Sequence, residues 1–263
     1  MHPLQTIIAH QWRDLSRNRW ILGYTGGFLL ITELLLRIGG GGPRMFLSLL
    51  NILIAVVPLA TGIFATVYWF GAREFNEFLL AQPVARATLF LGLYIGLVAP
   101  LAAAVGVGIG LPLLIERALD ATTAPLLLGF ALAGVGLTAV FASLAVLVCV
   151  VLDDRFRSVG AMLLLWAVLT IGWDAFVLLA ATTLSDWPLE TPLLVATALN
   201  PIDIARVSLV LQLDIAAMLG YTGAVFQRAF GGWGGISAAA AILCVWAVAP
   251  ALLARRAFER RDF

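Results

Sequence analysis

Six stretches of the chain are apolar on every side, showing neither the alternation of a half-buried strand nor the one-sided period of a surface helix. They run from Trp20 to Ile38, Phe46 to Phe70, Leu89 to Ile115, Ala124 to Leu152, Val159 to Leu184 and Ile236 to Ala254. Each exceeds the roughly 18 residues that a helix needs to cross a hydrocarbon core about 30 Å thick. The pattern predicts an all-α polytopic membrane protein, one domain over residues 1–263, with six spans and both chain ends on one side. Ahead of the first span, Leu4, Ile7, Ile8, Trp12 and Leu15 recur at helical spacing, with Gln5, Arg13 and Arg17 off that stripe. Residues 1–18 thus read as an amphipathic helix on the membrane surface, a soluble cap helix being the alternative. Trp12, Arg13, Asp14 and Arg17 interrupt the segment too early for a cleavable signal peptide.

The segment 185–233, between the fifth and sixth spans, is neither a tight loop nor a clear crossing. Leu193 to Leu199 is apolar, and Asn200 followed by Pro201 supplies a helix cap and a first-turn proline. From Ile202 to Leu219 apolar positions are dense, yet Asp203, Arg206, Gln212 and Asp214 are costly against lipid. One or two helices lying on, or dipping into, the outer interface are expected. A seventh crossing is the alternative, and it would place the basic C-terminus outside.

Composition agrees with the pattern: 62% of residues are hydrophobic, 12% are charged, and mean hydropathy is +1.02, which excludes a soluble globular chain. A net charge of +1 leaves no tail for nucleic acid. Cys149 and Cys244 lie inside apolar runs and do not suggest a disulfide framework or a thiolate zinc site. All 16 basic residues are arginine. Without lysine the chain cannot carry a standard P-loop, nor the Schiff base of pyridoxal phosphate chemistry. His2 and His10, the only histidines, share the surface helix, so a Ser/His/Asp set or a zinc-binding histidine pair cannot form around a pocket. Arginine counts set the direction: eleven fall on the side of the termini and five on the other. Basic loops stay in the cytoplasm, so the termini are expected there, in the cell inner membrane of a multi-pass protein.

Within the spans, Gly106, Gly108 and Gly110 fit close helix packing better than a nucleotide loop. Glu33 and Arg37, four apart, can pair with each other. Asp174 falls in the outer third of the fifth span, lining a water-filled cavity or hydrated at the interface beside Trp173. The cytoplasmic loop Gly71 to Pro83 places Phe75, Phe78 and Leu79 on one helical face, with Arg73, Glu74 and Glu77 able to face water. Such a short amphipathic helix suits a groove on a soluble partner, or rests on lipid. Asp153 to Arg157 forms a second cytoplasmic turn, in itself a solvated loop.

With these features the chain resembles the permease subunit of a type 2 ABC exporter. Arg73, Glu74 and Glu77, then Phe78-Leu79-Leu80, then Pro83 to Arg86 are similar to that family's acidic, Leu-Leu, Pro-x-x-Arg coupling run. Gly92-Leu93 stands where Gly-Lys is usual, and Asn76-Glu77 replaces the usual Gly-Thr/Ser. Leu199 to Arg206, Asp214 and Leu219 to Phe226 resemble the NosY-type permeases, membrane subunits associated with nitrous oxide reductase maturation. The resemblance implies an N-terminal elbow helix over 1–18, a coupling-helix loop over 71–86 and a homodimer paired with a cytoplasmic ATPase dimer that binds the ATP. The permease itself would be non-catalytic and hold no cofactor or metal. It also implies a periplasmic, copper-handling, β-helical partner. Arg73, Glu74, Phe75, Glu77, Phe78, Leu79 and Arg86, with Asp154 and Arg155, would meet the ATPase. Asp174, Asn200, Asp203, Arg206, Asp214 and Tyr221 would gate or dock on the external side. Met1, Met45, Met162 and Met218 are scattered, so tight copper binding by this subunit is not expected. Another type 2 exporter of drugs, lipids or polysaccharides, or a non-transporting scaffold, stays open beside this reading.

Overall fold

The computed structural model describes residues 11–13, 18–39, 43–73, 85–117, 124–183, 190–213 and 232–260. Among them every regular element is helical: α1 (Arg19–Gly39), α2 (Pro43–Gly71), α3 (Arg86–Arg117), α4 (Ala124–Leu152), α5 (Arg155–Ala167), a π-helical turn (Val168–Gly172), α6 (Trp173–Thr183), α7 (Glu190–Ala198), α8 (Pro201–Gln212) and α9 (Gly232–Glu259). Six helices are long and apolar enough to cross, α5, the π turn and α6 together forming the fifth. All six lie where the apolar runs predict them. Prolines inside the spans, Pro58, Pro100, Pro112 and Pro250, are tolerated because neighbouring helices resatisfy the freed backbone.

α4 is the centre, packed against α2, α3, α9, α8 and α5. Phe130, Leu137, Val140, Phe141, Ala145 and Val146 of α4 are fully buried. α1 lies chiefly on α3. They pack tightly at Gly108, where a Cβ would stand 2.6 Å from that of Phe28. Of the three α3 glycines read as packing residues, Gly108 alone sits this tightly; Gly110 faces open space and Gly106 makes an ordinary contact. The Glu33–Arg37 pair forms as expected, at 2.7 Å.

Both described chain ends lie at one face, here called the terminal face. There the Tyr68 hydroxyl at the end of α2 donates to Gln11, and Trp69 packs edge-on against Phe258 near the end of α9. Residues 11–13, the described part of the surface-helix segment, are helical and meet the rest of the protein through Gln11. Trp12, placed on the apolar stripe, is 43% exposed, whereas Gln11 is 2% exposed. Gly96 on α3 explains the burial of Gln11, since a Cβ there would overlap the Gln11 side chain. The polar residue therefore docks into a notch that only glycine leaves open. The remainder of the elbow segment, residues 1–10 and 14–17, lies outside the described residues.

α7 and α8 form a hairpin bent by 110°. Its elbow lies deep, because Asn200 Nδ2 donates to Leu169 O at 2.7 Å and Trp246 Nε1 donates to Ala198 O at 3.3 Å. Leu169 is 14 residues beyond Arg155 and Trp246 is 14 beyond Gly232. At 1.5 Å per residue each is about 21 Å along its helix, near mid-depth. From there α8 returns outward, since Gln212 at its far end packs over Gly129, five residues into α4 at the face opposite the termini. The hairpin enters and leaves by that face, which corrects the alternative of a seventh crossing. α8 buries Ile202, Ile204, Ala205 and Leu209 completely, so its apolar density faces protein rather than lipid.

Candidate functional site

Two places combine charge, hydrogen bonding and irregular backbone. The first is the terminal face around residues 74–84. Glu74, Phe75, Glu77, Phe78 and Leu79 lie outside the described residues, but both roots of that segment are placed. Arg73 closes on the Asp153 carboxylate at 3.3 Å, and Arg86 donates to Glu259 O at 3.1 Å. Glu259 is itself held by Arg255 at 2.7 Å. Between these roots Phe90, Trp69 and Phe258 pack together, with ring centroids 5.6 to 6.3 Å apart, joining the ends of α2 and α9 to the start of α3. Each root is thus fastened to a different partner, the α4–α5 turn on one side and the end of α9 on the other.

The α4–α5 turn is tighter than a five-residue loop. Asp153 takes a left-handed conformation with φ 52°, which an aspartate tolerates better than most residues. Asp154 then caps α5, its carboxylate accepting from Arg157 N at 2.7 Å. The acid expected to meet an ATPase therefore serves its own helix end, while Asp153 takes the arginine. Arg155 sits exposed in the first turn of α5, and Phe156 beside it is 85% exposed. The sequence marks Asp153 and Phe156 only as members of a solvated turn, and Gln11 and Glu259 carry no signal in it. Only the Asp-Asp pair joining two long helices carried a local signal, one acid for each helix end.

The second place is the hairpin against the fifth span. Asn200 is fully buried and uses both ends of its amide. Oδ1 accepts from Ile202 N at 2.9 Å, giving the cap expected before Pro201, and Nδ2 reaches Leu169 O. That carbonyl is accessible for a reason in the backbone: Trp173 N–H bonds Val168 O, the π spacing, and so is diverted from Leu169. Arg206, six residues along α8, places Nη1 3.0 Å from both carboxylate oxygens of Asp174 and 3.3 Å from Asp203. Asp174 is therefore an ion-pair partner of the hairpin, and its side chain, 45% exposed, is still open to water as a cavity or interface position requires. The pairing also answers the cost of Asp203 and Arg206 at membrane depth. Asp214 and Tyr221 lie outside the described residues.

These features define an integral membrane protein whose two faces differ in kind: a clamped loop root on one, a re-entrant hairpin on the other. A family model described as ABC-2 family transporter protein matches residues 76–263, more than half of the chain, and the protein belongs to that family. It is a membrane permease subunit of an ABC transporter, and membership implies an ATPase partner and dimeric assembly. The match begins inside the 74–84 segment and takes in the hairpin; α1 and α2 precede it. No curated protein matches the chain.

Proposed function

We propose that this permease works as a homodimer in the inner membrane with its terminal face in the cytoplasm, where an ATPase dimer pushes on residues 71–86. The observation that carries this reading is the anchoring of both loop roots, Arg73 to Asp153 and Arg86 to Glu259. A push on a segment so tied reaches α5 and α9 as well as α2 and α3. The chain lacks lysine, so the free energy enters through a partner whose nucleotide states bind this face differently. Glu74, Phe75, Glu77, Phe78 and Leu79 form the docking helix, with Arg155 and exposed Phe156 beside them. On the external side Asn200, Asp203, Arg206, Asp174, Asp214 and Tyr221 belong to a gate or docking surface. The finer assignment is a NosY-type permease, whose hairpin engages a copper-handling β-helical protein during maturation of nitrous oxide reductase.

A second reading, export of an amphiphile such as a lipid or drug, draws on a cavity of about 340 Å³ among α1, α2 and α3, lined by Trp20, Tyr24, Phe64 and Tyr68. Purification of the tagged chain from its native membrane separates these readings. An ATP-binding subunit should accompany it, and Glu74→Arg and Phe78→Asp should each abolish the cellular function while ATP hydrolysis continues. Recovery without any nucleotide-binding protein would defeat the transporter mechanism. A complex that contains the ATPase but no periplasmic β-helical protein would favour amphiphile export over the copper-enzyme role.

A further inference from the structure

We infer that the fifth span is the rod that carries motion from the terminal face to the hairpin, and that Asn200 is the positioning residue that makes the two travel together. The inference rests on the reading that force enters at the 71–86 loop.

The rod begins where the loop is tied. Arg73 holds Asp153, and the next residue, Asp154, is the cap of α5. A displacement of the Arg73 root therefore reaches α5 through one ion pair and one peptide unit, while the Asp153 N–H stays tied to Cys149 O at the end of α4, at 3.1 Å. Farther along, Trp166 Nε1 donates to Ala55 O at 3.1 Å, three residues before Pro58, so the lower half of the rod bears on α2. Immediately beyond comes the π turn, and from that turn onward every described tie to another element leads to the hairpin. Asn200 Nδ2 holds Leu169 O, and Arg206 holds Asp174. The two attachments are five residues apart on the span and six apart on the hairpin. Two separated points fix the direction of one helix against another, where a single point would leave a pivot. The π turn begins between the α2 tie and the Asn200 latch and carries that latch at Leu169, and a π turn is a place where helices bend or change register.

Asparagine is needed at the elbow because one amide must accept from Ile202 N and donate to Leu169 O. Serine caps a helix nearly as well but is too short to reach the carbonyl. Asn200→Ser thus separates capping from latching, and Arg206→Gln weakens the second point should the first variant accumulate poorly. The perturbation is Arg73→Glu, which breaks the tie at the terminal face, and the readout is amide hydrogen exchange of the full chain in nanodiscs. In the native background Arg73→Glu should raise exchange both in residues 155–167 and in residues 190–213. With Asn200→Ser or Arg206→Gln added, the change at 155–167 should persist while that at 190–213 falls by about twofold or more. A hairpin that responds equally with and without its latch, or one that ignores Arg73→Glu while 155–167 responds, overturns the relay. The test needs no ATPase, so a chain that passes it yet purifies without a nucleotide-binding subunit keeps the relay and loses the proposed function.

Discussion

The fourth and fifth spans are each 29 residues long and both strongly apolar, yet they settle in opposite ways. In α4, 56% of the apolar window is buried within the chain; in the fifth span, 11% is. α4 is one unbroken α-helix packed against five other helices, with only Leu128, Leu132 and Val135 forming an exposed stripe in its first half and hydroxyls such as Thr138 and Ser143 turned back onto its own backbone. The fifth span contains a π turn, an acid paired across to another element and a carbonyl that serves a side chain of the hairpin. Apolar sequence alone does not make a scaffold. A helix wedged among five neighbours has little room to move, whereas one held at a few points can shift as a body. The contrast gives α4 the static role and the fifth span the moving one.

Three measurements can break or sharpen that contrast. The largest effect belongs to the scaffold: Phe141→Ala, at a fully buried position of α4, should lower stability by about 3–5 kcal/mol in a denaturant titration of the solubilised chain. Leu164→Ala, 67% exposed on α5, should cost under about 0.5 kcal/mol. Equal losses at the two sites would erase the distinction between the spans. Next comes the upper clamp. Arg206→Leu leaves Asp174 and Asp203 facing one another, at a cost of about 2 kcal/mol, below that of a fully buried pair because the Arg206 and Asp174 side chains are 30% and 45% exposed. Adding Asp174→Asn should recover part of it, and a neutral Arg206→Leu would show that the ion pair holds nothing. The smallest effect is at the terminal face. The Arg73 and Asp153 side chains are 52% and 43% exposed, so Arg73→Ala should change stability by less than about 1 kcal/mol, and less still in high salt. A large loss there would mean that the root is a structural staple rather than a transmission point.

Several features were legible in the residues because they are local. The cap at Asn200 with Pro201 behind it needs only neighbouring positions, and so does the Glu33–Arg37 pair. The hairpin was read as lying on or dipping into the interface, and its depth could not be read more finely. That depth depends on the Ala198 carbonyl finding Trp246, 48 residues away, and on Asn200 finding Leu169, 31 away. The partner of Asp174 was equally hidden, 32 residues away on α8. Gln11 was hidden differently. The glycine that admits its side chain, Gly96, stands on another helix 85 residues away.

By itself the sequence determined the six crossings and the side shared by the chain ends, because a run of about 20 apolar residues has one low-energy setting in a bilayer whatever its neighbours are. It also denied the chain a P-loop of its own, because a missing lysine is missing in every conformation. The tertiary structure alone decided which span became the packed centre, how far the hairpin descends, and which carbonyl the π turn offers to Asn200. Those outcomes depend on distances between groups far apart in the chain, and such distances exist only once the helices have packed.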